Sequence, residues 1–248
     1  MDAELLERPV ALNSSPAHHG RVAVLQPYLF PYLGTFQLAR QVEHFVFFDD
    51  VAFIKKGYIH RNALLLDGSA HPFSVPVRGV SQNRTIREHE YAGDWRGFLA
   101  LVASAYRKAP HFDAAMSLVE SIALDPDENV ARKNALTLQR VFDHVGMERR
   151  WSFSSVTPAP TLRGQDRILD LCRLRGARAY VNAAGGRALY APAAFEDAGI
   201  ELRFLRTLPH AYPQRSADFV ANLSMIDLLM HCTPAEIAAL LSQRAVEA

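Results

Sequence analysis

The sequence predicts an α/β fold whose mostly parallel sheet is built from two βαβ-type units, with an inserted helical block at about 95–146. Three observations predict it. Short apolar runs (RVAVL, FVFF, ARAYVNA, ELRFLR) have the length and β-branched or aromatic content of buried strands. Amphipathic segments with apolar residues three and four apart alternate with those runs at both ends of the chain. Between the two ends, helical periodicity continues through three segments without a strand signal.

Residues 1–20 lack the basic start and apolar stretch of a signal peptide and read as a mobile lead-in, leaving 21–248 as one domain. RVAVL stops at Gln26-Pro27, because proline cannot donate to a strand ladder. The aromatic loop through Tyr28, Phe30 and Tyr32 ends at Gly34, and Thr35 is suited to cap a helix buried through Phe36, Leu38, Ala39 and Val42. FVFFDD is a second buried run ending in carboxylates. ALLLDGSAHPFSVPVRG reads as a hairpin turning at Asp67-Gly68. Gln82 to Glu90 is polar, an exposed strand or loop.

Three helices fill Trp95 to His144, separated by Pro110 and Pro126, with Gly146 suited to a C-terminal cap. Arg150 to Ser154 is a strand, and TPAP a stiff connection. The second unit follows. RILDLCRLRG is a helix, ARAYVNA a strand, Ala184-Gly185-Gly186 a loop opening a helix that LYAPAAFEDAGI continues, and ELRFLR a strand. Terminal helices span Ser224 to Met230 and Pro234 to Ala245.

Composition narrows the function classes. The chain has 248 residues, a net charge of +1 and 49% hydrophobic residues, so no basic face is offered to nucleic acid. No apolar run approaches the ~20 residues of a membrane span, and a cytoplasmic protein is expected. The two cysteines give neither a disulfide framework nor a zinc pattern, and the ten histidines show no metal-ligand spacing, so neither metal nor cofactor is expected.

Ligands of open α/β sheets sit at the carboxyl ends of the strands, where Gln26, Asp49 and Asp50 fall. In an extended strand Asp49 and Asp50 point to opposite faces, so one of them at most enters a site. Its role is either a general base or a loop carboxylate paired with Lys55 or Arg61. Lys55, Lys56, Arg61 and Asn62 are candidates to hold a phosphate, a nucleotide-sugar diphosphate or a phosphopantetheine arm; a solvated basic turn is the plainer alternative. The first βαβ loop compares with the phosphate-binding turn of nucleotidyl transferases, although Gly34-Thr35-Phe36 carries no histidine. Gly185-Gly186 either lets a ligand approach or makes a tight turn. Cys172 reads as core; Cys232, beside His231, is a weak candidate for an acyl-bearing nucleophile.

QPYLFPYLG, FFDDVAFIKK, Arg61-Asn62, Tyr106-Arg-Lys-Ala-Pro110, Gly185-Gly186, His210-x-Tyr212-Pro213-Gln214 and LSMIDLL occur in an order and spacing that resemble the WbqC-like family of bacterial proteins, from about Arg21 to Pro234. The chain departs from that pattern at Tyr28 and His60, where asparagine is common, and at Asn182-Ala183-Ala184. Family members occur in gene clusters for O-antigen and other polysaccharides, which implies a glycine-type aminoacyl transferase acting on an amino sugar. On that resemblance His210 becomes the leading acid/base candidate, with Asp50 and Asp49 beside it. Gln26, Tyr28, Lys55, His60, Arg61, Asn62, Gly185, Gly186, Tyr212 and Gln214 become substrate-binding candidates.

Three functions remain in view. The first is an acyl or aminoacyl transferase forming an amide on an amino sugar or specialised metabolite, with a thioester on coenzyme A or a carrier protein as candidate donor. The second is a nucleotide- or nucleotide-sugar-dependent transferase or ligase. The third is a non-catalytic subunit of a biosynthetic complex. The acceptor in the first is a small molecule or sugar, with neither nucleic acid nor membrane as partner.

Overall fold

The computed structural model of the protein describes residues 20–206, 210–243 and 245–247. The expected lead-in lies, except for Gly20, outside the described residues. In chain order the strands are β1 (Arg21–Leu25), β2 (His44–Phe47), β3 (Arg61–Leu66), β4 (Ser69–Ser74), β5 (Arg150–Phe153), β6 (Ala179–Ala183), β7 (Glu201–Arg206) and β8 (Ala245–Glu247). The helices are α1 (Leu33–Arg40), α2 (Arg96–Tyr106), α3 (Phe112–Ala123), α4 (Val130–His144), α5 (Gly164–Leu174), α6 (Pro192–Asp197), α7 (Met225–His231) and α8 (Pro234–Ser242).

Six strands form one sheet in the order β5-β2-β1-β6-β7-β8. The first five are mutually parallel, and β8 runs antiparallel to β7. The apolar runs follow from a sheet buried on both faces. Ala23 of β1, Phe45 and Phe47 of β2 and Val181 of β6 face one core with α1, α3, α4, α7 and α8. Their neighbours Val22, Val24, Val46 and Tyr180 face a smaller core with α5 and α6. Period-2 side-chain alternation sends successive residues to opposite layers, and here both layers are apolar. Among the described residues no helix is long and apolar enough to cross a membrane.

β3 and β4 form the expected antiparallel hairpin, with Asp67 and Gly68 both at positive φ (50° and 76°) as a two-residue turn of the primed type requires. The hairpin and the block from α2 to α4 together join β2 to β5, so the chain leaves the six-stranded sheet after β2 and returns at its edge.

Three local expectations need correction. Thr35 lies within the first turn of α1; Tyr32 is the N-cap and makes no side-chain cap bond. The segment opened by Ala184 is a 3₁₀ turn ending at Leu189, and Pro192 starts a separate helix, because Tyr190 and Ala191 are extended ahead of the proline. The last helix stops at Ser242, and Ala245 already belongs to β8, which covers the outer edge of β7.

Candidate functional site

The strand order reverses between β1 and β6, and the aromatic loop after Leu25 leaves the sheet beside that reversal. Side chains from three distant elements fasten the loop by its carbonyls. Asn134 of α4 donates from Nδ2 to Pro27 O (3.0 Å) and Ile59 O (2.7 Å), and its Oδ1 accepts from Tyr91 OH (2.7 Å). Asn62 Nδ2 and Ser224 Oγ both donate to Phe30 O, at 2.7 and 2.9 Å. Leu29 and Phe30 are fully buried, and Phe30 takes a φ of 42°. That left-handed conformation costs a side-chain-bearing residue about 1–2 kcal/mol, which the two bonds on its carbonyl and its burial offset.

This arrangement reassigns several predicted ligand-binding residues. Asn62 braces the loop. Arg61 donates from Nε to Gly57 O (2.6 Å) and from Nη2 to Lys56 O, so its guanidinium braces the preceding turn, away from either cleft. His60 Nδ1 meets Val75 O at 3.0 Å, and Gln26 Oε1 accepts from Tyr28 OH at 3.2 Å. Burial, and Tyr32 after it, push the Tyr28 hydroxyl above its usual range. Lys55 and Lys56 point to solvent. None of these seven residues lines either of the two clefts described next.

The first cleft, of about 250 Å³, lies between the start of α1 and the strap running from His210 to Leu223. Tyr32, Gln37, His210, Tyr212 and Asn222 supply its polar lining, and Phe219 and Leu228 part of its apolar wall. His210 Nε2 is buried and takes no hydrogen-bond partner among the described residues. Gln37 is fully buried, and its Nε2 donates to Leu240 O (2.9 Å) and Gln243 O (2.7 Å). With both amide protons committed to carbonyls, the amide cannot flip, and Oε1 remains an acceptor without a donor. His210 and Gln37 both line the cleft, and a buried polar atom without a partner among the described residues calls for an explanation such as a catalytic role, a water or an ion.

The strap is anchored by a residue that carries no predicted role. Asp227 of α7 is fully buried and accepts Tyr106 OH (2.9 Å) on Oδ1, and Tyr212 OH (2.7 Å) and Gln214 Nε2 (2.8 Å) on Oδ2. Gln214 also bonds Val220 through both ends of its amide. Burial pushes the Tyr106 and Tyr212 hydroxyls far up, with the Asp227 carboxylate adding to it, so both stay protonated as donors. Tyr212 therefore borders the cleft while Gln214, predicted to touch substrate, ties the strap to Asp227. The charged residue inside the apolar run LSMIDLL was the available signal.

Asp49 and Asp50 lie elsewhere, past the end of β2, and the expectation that they diverge fails because β2 ends at Phe47. Both carboxylates converge on the fully buried Ser154: Asp49 Oδ1 at 3.0 Å and Asp50 Oδ1 closer still. Asp49 also accepts Ser155 N (3.0 Å) and Ser155 Oγ (2.7 Å). Burial raises its pKa, and those bonds only partly oppose the rise. Asp50 pairs with Arg167 at 3.0 Å, not with Lys55 or Arg61. Asp50 lines a second, larger cleft of about 590 Å³ at the ends of β2 and β5; Asp49 does not. The predicted catalytic set is thus divided: His210 lines one cleft and Asp50 the other.

Gly185 and Gly186 follow β6 and line neither cleft. Gly186 has a packing reason, since a Cβ there would sit 2.8 Å from Asn182 Nδ2, whose amide bonds Tyr190 OH (2.9 Å) and Ala183 N (2.8 Å). Gly186→Ala is expected to lower stability by about 1–3 kcal/mol, whereas Gly185→Ala, which meets nothing within 4 Å, should be neutral in the same denaturant titration. Both cysteines are buried and free, with their thiols pushed up by burial to about 12 (Cys172) and about 11 (Cys232). Neither is a ready thiolate at neutral pH.

Comparison with known proteins follows the same residues. The profile described as the WbqC-like protein family matches residues 26–239. The chain is 24% identical over 220 residues to a protein of Mycobacterium tuberculosis (strain ATCC 25618 / H37Rv) named "Uncharacterized protein Rv1507c", covering 85% of this chain and 93% of that one. No solved structure matches.

Proposed function

The chain belongs to the WbqC-like protein family, and from that premise and the first cleft we propose that it is an acyl or aminoacyl transferase forming an amide on a small amine such as an amino sugar. The observation that carries this reading is His210, which lines that cleft and whose buried Nε2 has no hydrogen-bond partner among the described residues. A neutral imidazole is the natural acceptor for the proton of an attacking amine at physiological pH. Gln37 Oε1, fixed as an acceptor, supports the same reading, because an amine brings the donor it lacks. About 250 Å³ suits an amino sugar or an amino acid and is small for a whole nucleotide-sugar.

In this reaction the amine nitrogen attacks a thioester carbonyl, the C–N bond forms, and the C–S bond breaks. His210 accepts the proton released from nitrogen and returns it to the departing thiolate. Tyr212, held by Asp227, keeps the strap over the reacting atoms.

The test uses a glycyl thioester of N-acetylcysteamine and a panel of free amino sugars. His210→Asn should lower amide formation by about 10²–10⁴-fold while leaving the acceptor's thermal shift unchanged. Full activity in that variant, or no amide with any acceptor, would sink the reading.

A further inference from the structure

We infer that the second cleft is a binding site for an organic ligand carrying a diphosphate, an inference that stands independently of the amide-forming reading. Three guanidiniums, of Arg84, Arg87 and Arg163, line it. None forms an ion pair with a carboxylate among the described residues, whereas Arg78, Arg96, Arg132, Arg167 and Arg203 all do. Arg84 and Arg163 bond only backbone carbonyls, of Gly79 and Glu88 and of Pro160 and Leu162.

The acids that share the cleft are Glu88 and Asp50. Glu88 accepts the Thr85 amide (2.6 Å) and hydroxyl (2.7 Å). Asp50 is held by Arg167 and Ser154. Arg167 itself is buried and spent on Asp50, Asp170 and two carbonyls, so it forms part of the floor; of the remaining lining charges, Glu88 feels Arg87 and Arg84, and the cations outnumber it.

Two further features set the shape of the ligand. The eleven-residue helix α5 begins in this cleft, and its N-cap, Arg163, makes no side-chain cap bond. Its first amides and positive dipole end therefore add to the attraction for an anion. Phe48, Pro158, Pro160 and Leu162 add apolar surface to the same lining, which suits an organic body attached to the phosphates. The volume of about 590 Å³ accommodates a nucleotide or a phosphorylated pantetheine arm. An extended polyanion is a poorer match, since the chain's net charge is only +1 and these cations are confined to one cleft.

The full chain is titrated by calorimetry with UDP, coenzyme A and inorganic pyrophosphate at low and high salt. At least one of the two organic diphosphates should bind saturably, more weakly at high salt, and the one that binds distinguishes a nucleoside body from a pantetheine one. The double variant Arg87→Gln/Arg163→Gln changes two exposed side chains and should keep the parent's unliganded thermal midpoint. It should bind at least tenfold more weakly, while His210→Asn binds as the parent does. Absence of binding by both organic ligands, or undiminished binding by the double variant, would overturn the inference. Equal affinity for pyrophosphate would overturn the assignment of an organic body.

Discussion

Replacing Asp227 by alanine is expected to destabilise the protein by about 4 kcal/mol, because buried donors lose a charged acceptor. The carboxylate is fully buried and serves Tyr106, Tyr212 and Gln214 at once. Its removal strands the hydroxyl protons of Tyr106 and Tyr212, each about 1–3 kcal/mol when left unsatisfied in the interior, while Gln214 Nε2 keeps Val220 O. Asp227→Asn keeps one acceptor oxygen and should cost about half as much. In thermal unfolding the alanine variant should lose about 8–16 °C, taking ~2–4 °C per kcal/mol for a chain of this size. A loss below ~3 °C would show that the strap is held by other contacts. Because Tyr212 and Gln214 fix the strap carrying His210, the variant should also lose any ligand response of the first cleft even below its midpoint.

Acid should unfold the protein through His44. This imidazole is pushed down to about 3 from its ordinary 6.5, first by burial and then by the charges of Arg175 and Arg150. Its Nε2 meets Ser152 Oγ at 2.8 Å, and Arg175 donates to the same hydroxyl at 3.0 Å, so the hydroxyl's own proton is available to the ring nitrogen. A protonated ring would set a second cation beside Arg175. The folded pKa is depressed, so between pH 6.5 and 3 the unfolded chain binds the proton more readily. Stability is therefore intact above that window and is lost as pH falls through it, at about 1.4 kcal/mol per unit. From pH 6.5 to pH 4 the loss should approach ~3 kcal/mol. Denaturant titrations across this range should show a shallower pH slope in His44→Gln. An unchanged slope would assign acid sensitivity to other groups.

The sheet was legible because its strands lie between two apolar layers. A run such as RVAVL has no polar face to blur it, and the helices around it must be amphipathic. The candidate site was legible only in part. His210 and Tyr212 were found through their motif, and both line the first cleft. Arg61 and Asn62 were found for the same reason and proved to hold backbone carbonyls, an acceptor that no periodicity advertises. Asn134 was missed because a single polar residue in an amphipathic helix reads as surface until its partners converge on it, and Asp227 because the three partners of its carboxylate lie outside the apolar run that holds it. Arg167 and Ser154 stand more than a hundred positions from Asp50, beyond any local pattern.

The placement of β1 bears on how the molecule assembles. Val22 finds its β2 partner, His44, 22 residues on, but its β6 partner, Tyr180, 158 residues on. Closing the longer loop costs about 1.7 kcal/mol more in chain entropy. It must be closed before the loop that follows β1 and the strap that follows β7 can meet around the first cleft. Until then one flank of the central strand is a bare, apolar, hydrogen-bonding edge, open to pairing with another chain. The same central position that sets β1 beside the first cleft thus leaves it with an edge to protect while the protein folds.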